Sequence, residues 1–305
     1  MAAQSEQSPA PAAPSPALHP GRRRAAAIAM VIASSVVWPL VDSVAKHLST
    51  PHDGLPGVPA SRITWGRYTA NVVLLLPVVL RLHGPRALFP RLTPLHLLRS
   101  AMPAVVTLFF FIGLTRLPFA SASALLFVNP LLITAFSAWF LRERIGGWRW
   151  VAVAVGFAGS LLVIRPGSDV FRWVSLAPVA AAVAFATTAI LNRRLAGEAP
   201  PLATTFHYAL VGMVALAFGW SRDWQPFQPA LVGWLSLMAV GGGLSMWLVT
   251  RAYERAQASS LAPFHYVEVA CAAGLGMTLF GEFPAPITWA GIALITAAGL
   301  LVARE

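Results

Sequence analysis

Ten apolar runs, each close to twenty residues long and nearly free of charge, constrain this chain more than any other feature. They fall at about 26–48, 62–81, 97–117, 119–141, 148–165, 173–192, 202–220, 228–250, 260–281 and 285–303, bounded by charges, proline or glycine. At 1.5 Å rise per residue, about 20 residues cross the hydrocarbon of a bilayer. Lipid offers the backbone no hydrogen-bond partner, so each run must close its own bonds as a helix. The expected fold class is therefore all-α integral membrane, with ten transmembrane helices. Composition agrees: charged residues make up 11% of the chain, against about 25% in soluble domains.

The formal net charge of +11 would suggest a nucleic-acid partner in a soluble protein. Here the bases lie mainly between the runs and read as topology signals, so membrane lipid and not nucleic acid is the expected surrounding. If the first run leaves the cytoplasm, then Arg22, Arg23, Arg24, Arg81, Arg86, Arg91, Arg99, Arg142, Arg144, Arg149, Arg193, Arg194, Arg251, Arg255 and Arg304 all fall on the cytoplasmic side. They are most of the 22 Lys and Arg. The positive-inside rule then places both termini in the cytoplasm. Residues 1–25, rich in Pro, Ala and Ser, read as a disordered cytoplasmic tail. The first run carries Asp42 and Lys46 and is too long for a signal peptide, so it reads as a retained helix. With one cysteine, Cys271, there is no intrachain disulfide.

The chain also repeats itself. The stretch TRLPFASASALLFVNPLLITAFSAWFLRERIGGWRW from Thr115 aligns without a gap to the stretch from Glu254, pairing Arg116 with Arg255, Glu143 with Glu282 and Trp150 with Trp289. Two repeats follow, 26–167 holding spans one to five and 168–305 holding spans six to ten. An odd number of spans inverts the second repeat relative to the first. Inverted repeats form a pseudo-symmetric scaffold whose central cavity can open to either side in turn.

Within that scaffold, charges inside the membrane mark a site. Asp42 and Arg67 each lie about five residues, roughly 8 Å, outward of the middle of their spans, and so share one depth. Lys46 is one turn farther out, on the Asp42 face, so an Asp42–Lys46 pair is a further arrangement. Two readings stand: a salt-bridged pin joining the first two spans, or a direct role in binding, gating or proton coupling. In the ninth span, His265 and Glu268 share a face beside Tyr266, and a carboxylate next to an imidazole makes proton coupling chemically feasible. His207 and Tyr208 in the seventh span are a further polar pair, with helix packing as the competing reading. Phe110, Phe127 and Trp247 could line a cavity, and Pro130 and Pro263 could interrupt helical hydrogen bonding where a gate needs it. The glycines Gly156, Gly159 and Gly241 to Gly243 suit close helix approach.

The segments SASALLFVNPLLITAFSAWFLRERIGGWRWVAVAVGFAGSLLVIRPG and SSLAPFHYVEVACAAGLGMTLFGEFPAPITWAGIALITAAGLLVARE resemble the drug/metabolite transporter superfamily, specifically its EamA-type ten-helix proteins. VDSVAKHL is similar to the first helix of a subgroup that includes S-adenosylmethionine uptake carriers. The resemblance implies a cytoplasmic-membrane carrier without cofactor, built around a central cavity, with Asp42, Lys46, Pro130, Glu143, Pro263 and Glu282 matching the family pattern. It implies a mainly structural role, capping or anchoring helices, for Glu143 and Glu282.

The chain lacks an HExxH zinc motif and a GxxxxGK[ST] phosphate loop, so neither a metal site nor an ATP-driven or other enzyme activity is expected. The expectation is a secondary transporter of a small organic metabolite, narrowed by resemblance to uptake of an S-adenosylmethionine-like or amino-acid-like solute. An exporter of amino acids or drug-like compounds is the first alternative. A non-transporting structural or regulatory membrane protein is the alternative of another class.

Overall fold

The computed structural model describes residues 20–51, 57–89, 93–140, 142, 146–164, 173–195, 198–217, 229–253, 255, 264–265 and 267–303. Glu143, Pro263 and Tyr266, named above, lie outside these residues. The helices are α1 (Pro20–Ser49), α2 (Ala60–His83), α3 (Pro94–Leu114), α4 (Phe119–Leu126), α5 (Asn129–Phe140), α6 (Gly147–Ile164), α7 (Leu176–Arg194), α8 (Pro201–Ala217), α9 (Pro229–Tyr253), α10 (Val267–Phe280) and α11 (Pro286–Ala303). Among the described residues, six segments, with α4 and α5 counted as one, are long and apolar enough to span a bilayer, and four shorter apolar helices bring the set to ten.

The outside of the bundle is apolar, as lipid requires. Leu74, Leu76 and Leu80 on α2, and Leu237, Val240 and Leu244 on α9, are exposed. The inside carries small and polar side chains instead: Ser34, Ser35, Asp42, Ser43 and Lys46 of α1, and Ala181, Ala182, Ala184 and Ala186 of α7, are all buried. Without a hydrophobic force between helices, close packing of small residues and hydrogen bonds hold such a bundle together.

Helix pairing carries the internal symmetry. The α1–α9 contact is matched by α7–α3, α2–α9 by α8–α3, and α1–α10 by α7–α5, while α2–α8 and α6–α11 are each their own counterpart. This is the pattern of two inverted five-span repeats. Below, the near end is the one where α1 begins, and the far end the one where it finishes.

Two local features repeat as well. The fourth run, read as one span, is two helices interrupted at Phe127 and Val128. Pro130 is the second residue of α5 and has no N–H to return to the Leu126 carbonyl, so the helix is broken there and restarts. The repeat aligns Asn129 with Glu268, and α10 begins at the equivalent place, at Val267. After the broken span comes a left-handed turn, at Arg142 (φ 53°) in the first repeat and Gly281 (φ 62°) in the second. Gly281 occupies that region freely, whereas Arg142 is an uncommon non-glycine there.

The fifth and tenth spans cross through Gly159 and Gly291. A Cβ on Gly159 would lie 2.9 Å from the Gly291 carbonyl oxygen, and one on Gly291 would lie 2.8 Å from the Gly159 oxygen. Backbone cannot step aside as a side chain can. Gly159→Ala or Gly291→Ala is therefore expected to destabilise the protein by about 1–3 kcal/mol through overpacking. Thermal unfolding in detergent checks this, with Gly147→Ala, where a Cβ meets nothing within 4 Å, as the control that stays near the parent.

Candidate functional site

At the far end, one acidic side chain ties three spans together. The turn at Gly281 hands the Glu282 backbone N–H to the Gly276 carbonyl (3.0 Å), which fixes where the side chain starts. One carboxylate oxygen accepts from Lys46 Nζ at 2.5 Å, and the other accepts from the Phe119 backbone N–H at 2.8 Å, the first residue of α4. Lys46 Nζ also donates to the Leu117 carbonyl at 2.9 Å, and it lies 5.2 Å from the centroid of the Phe280 ring. Glu282 thus neutralises a buried lysine and caps α4. These contacts form a clasp between α1, α4 and the α10–α11 turn. Lys46 is held in this clasp and forms no pair with Asp42.

The polar centre lies deeper. Asp42 (6% exposed) and Arg67 (7% exposed) are buried and within electrostatic range of each other. They form no ion pair within 4 Å, so the direct pin between the first two spans is not made. Arg67 instead packs over Trp38 (5.2 Å to the ring centroid), Tyr68 (5.7 Å) and Phe111 (5.9 Å), and its Nε has no hydrogen-bond partner. Glu268, in the first turn of α10, is half-buried and within electrostatic range of Asp42. Among the described residues, neither Asp42 nor Glu268 makes a hydrogen bond or ion pair. Three ionisable groups held apart without partners inside a membrane are costly unless a ligand, water or proton satisfies them.

Glycine shapes the wall of this centre. A Cβ on Gly242 would lie 3.6 Å from both the Arg67 guanidinium and the Trp38 ring, one on Gly241 would meet Val41 at 2.6 Å, and one on Gly243 would approach the Asn71 amide oxygen at 3.7 Å. Helix α9 therefore rests its smallest residues against α1 and α2. Asp42, Arg67 and Asn71 come from the first repeat and Gly242, Gly243 and Glu268 from the second, so the centre lies between the inverted halves.

The remaining candidates divide. Phe110 is buried in the apolar cluster that includes Phe111, Leu114 and Ala181. Phe127, at the break between α4 and α5, is buried in a second cluster with Leu131, Val269 and Ile295. Both are packed side chains here. Trp247 is half-exposed near the end of α9, beneath the Arg251 guanidinium (5.9 Å). His265 is half-buried just before α10. His207 bonds the Ala87 carbonyl through Nε2 (2.9 Å) and Tyr208 donates to Asn192 Oδ1 (2.6 Å). These last two belong to a near-end cluster, separate from Asp42.

Trp38 and Asn71 were missed from sequence. The signal that could have found them is helical: Trp38 lies one turn before Asp42 and Asn71 one turn after Arg67, on the same faces. Nothing local marks Glu282 as the partner of Lys46.

Comparison with known proteins follows this geometry. The model of the EamA-like transporter family matches residues 25–165 and 172–304. The chain is 28% identical to a riboflavin transporter of Vibrio cholerae, over 87% of this chain and 88% of that protein. It is 26% identical to an S-adenosylmethionine uptake transporter of Rickettsia felis, over 86% of each. A crystal structure superposes with a TM-score of 0.62 at 20% identity, covering 91% of this chain and 96% of that one, and shares the fold.

Proposed function

The chain belongs to the EamA-like transporter family, and from that premise we propose that it takes up a small organic solute across the bacterial cytoplasmic membrane by alternating access. Two repeats are proposed to carry it, at 26–167 and 168–305, with both termini and the near end in the cytoplasm. The observation that carries this reading is that Asp42 and Arg67, both buried and without an ion pair among the described residues, lie in electrostatic range of each other, and Glu268 of Asp42, where the inverted halves meet. A single anchor helix bundle would satisfy these charges internally; a carrier leaves them for its solute.

The solute is a zwitterion with a ring. Asp42 takes its cationic group, Arg67 takes its carboxylate as a two-pronged donor, and Trp38 offers an aromatic face beside both. Glu268 takes up or releases a proton as the solute enters or leaves, assisted by His265. S-adenosylmethionine fits this description, with a sulfonium, an amino acid group and an adenine ring. Riboflavin is the second reading, favoured by the relative in Vibrio cholerae; its neutral ring would stack on the aromatics but leave Asp42 and Arg67 without partners.

Thermal unfolding of the purified protein distinguishes the two. At a hundred times its Kd a true ligand adds about 2.7 kcal/mol of stability, a rise of several degrees. S-adenosylmethionine is expected to give this rise and riboflavin not to. The opposite pattern would transfer the reading to riboflavin, and no rise with either would remove both.

A further inference from the structure

We infer a second site, an anion pocket at the near end that receives a phosphate or phosphodiester group. A cavity of about 240 Å³ is lined by Arg86, His96, Arg99, Glu198, Ala203 and His207, among others. At about 30 Å³ per water it holds a phosphate group comfortably. Its walls come from both repeats, the α2–α3 connection and the first turns of α3 on one side, and the approach to α8 on the other.

The decisive residue is Arg99. It is 3% exposed and, among the described residues, its Nε has no hydrogen-bond partner and it makes no ion pair. It lines the cavity together with His207 and lies within electrostatic range of His207 and Tyr208. The acidic residue in the lining does not answer it: the Glu198 carboxylate lies 3.2 Å from His96 Nε2, and His96 is held from its other side by Thr93 Oγ1 on Nδ1 (2.6 Å). His207 is likewise committed, through Nε2 to the Ala87 carbonyl. A guanidinium buried without an anion is among the costliest groups a helix bundle can carry. Its planar fork matches two oxygens of a phosphate.

Two further features favour an anion. Arg86 is exposed at the mouth, on the short turn Pro85–Leu88, so a second cation guards the entrance. Ala203 places the start of α8 at the wall, and a helix N-terminus favours negative charge. The phosphate could belong to an anionic lipid, since basic pockets between helices at the cytoplasmic face suit such head groups, or to a soluble metabolite. The site is separate from the Asp42 centre and does not depend on the transport reading.

The test uses the full chain in nanodiscs of phosphatidylcholine, titrated with inorganic phosphate and pyrophosphate, alongside nanodiscs containing phosphatidylglycerol examined by native mass spectrometry. Saturable pyrophosphate binding in the neutral nanodiscs would identify a soluble source. Retained phosphatidylglycerol without it would identify a lipid source. In either case Arg99→Gln is expected to weaken binding about 10- to 100-fold, the loss of a charged hydrogen-bonding group, with Arg99→Lys recovering part of it. Arg86→Gln, at an exposed position that leaves the fold intact, is expected to weaken it several-fold and to reduce its salt dependence. Absence of both forms of binding, or binding that survives unchanged in Arg99→Gln and Arg86→Gln, overturns the proposal.

Discussion

Asp42→Asn is expected to lower saturable solute flux by about 10- to 100-fold, the worth of a hydrogen bond to a charged group in transition-state or ligand stabilisation. The substitution keeps the shape of the side chain and removes only its charge. Among the described residues Asp42, 6% exposed, has no hydrogen bond to lose, so the change acts on what the site binds more than on how the helices pack. The parent and variant should therefore insert equally and melt within a few degrees of each other. Arg67→Lys serves as a companion, because it keeps the charge and loses the fork. Flux in Asp42→Asn at the parent level, with the same affinity, would remove Asp42 from the transport cycle.

The far-end clasp carries the second large effect. Glu282→Ala leaves Lys46, 5% exposed, as an uncompensated buried cation, a loss of about 3–5 kcal/mol. It also uncaps the first N–H of α4, worth about 1 kcal/mol. The clasp ties α1, α4 and the α10–α11 turn together at the far end, so its release is expected to favour a form open there. A cysteine at Ala120, 2% exposed behind the clasp, in a Cys271→Ser background, should react faster with a membrane-impermeant maleimide once Glu282 is replaced. Combining Glu282→Gln with Lys46→Met removes both charges and is expected to recover most of the stability while the faster labelling persists. Unchanged labelling in Glu282→Ala, with the protein folded, would mean that the clasp holds the fold and does not gate it.

Membrane physics made much of the fold legible in advance. A bilayer forces each span to satisfy its own backbone, so ten apolar runs became ten spans, and the aligned Glu143 and Glu282 exposed the repeat. Helical rise alone put Asp42 and Arg67 at one depth, and the structure places them within electrostatic range. Their relation was not legible: side-chain direction in three dimensions decides whether two charges at one depth touch, and these do not. Lys46 shows the same limit. Asp42, one turn away, is only one arrangement the sequence offers it, and the actual partner is 236 residues away, brought there by a turn whose geometry rests on Gly281. The break at Phe127 and Val128 was hinted at by Pro130, though a proline inside a helix need not end it, as Pro39, Pro77 and Pro103 show. His207 stands out in the sequence as a polar residue of the seventh span, with helix packing as the competing reading, but only the fold gathers it with His96, Arg99 and Glu198.

Solute counterflow in liposomes tests the central claim most directly. Purified protein, inserted and folded, is loaded with unlabelled S-adenosylmethionine and given the labelled compound outside, with and without an inward proton gradient. The account predicts saturable uptake that the gradient accelerates and that Asp42→Asn loses. No saturable flux of this or any solute in a broad metabolite panel, from protein shown to be folded and inserted, would contradict it.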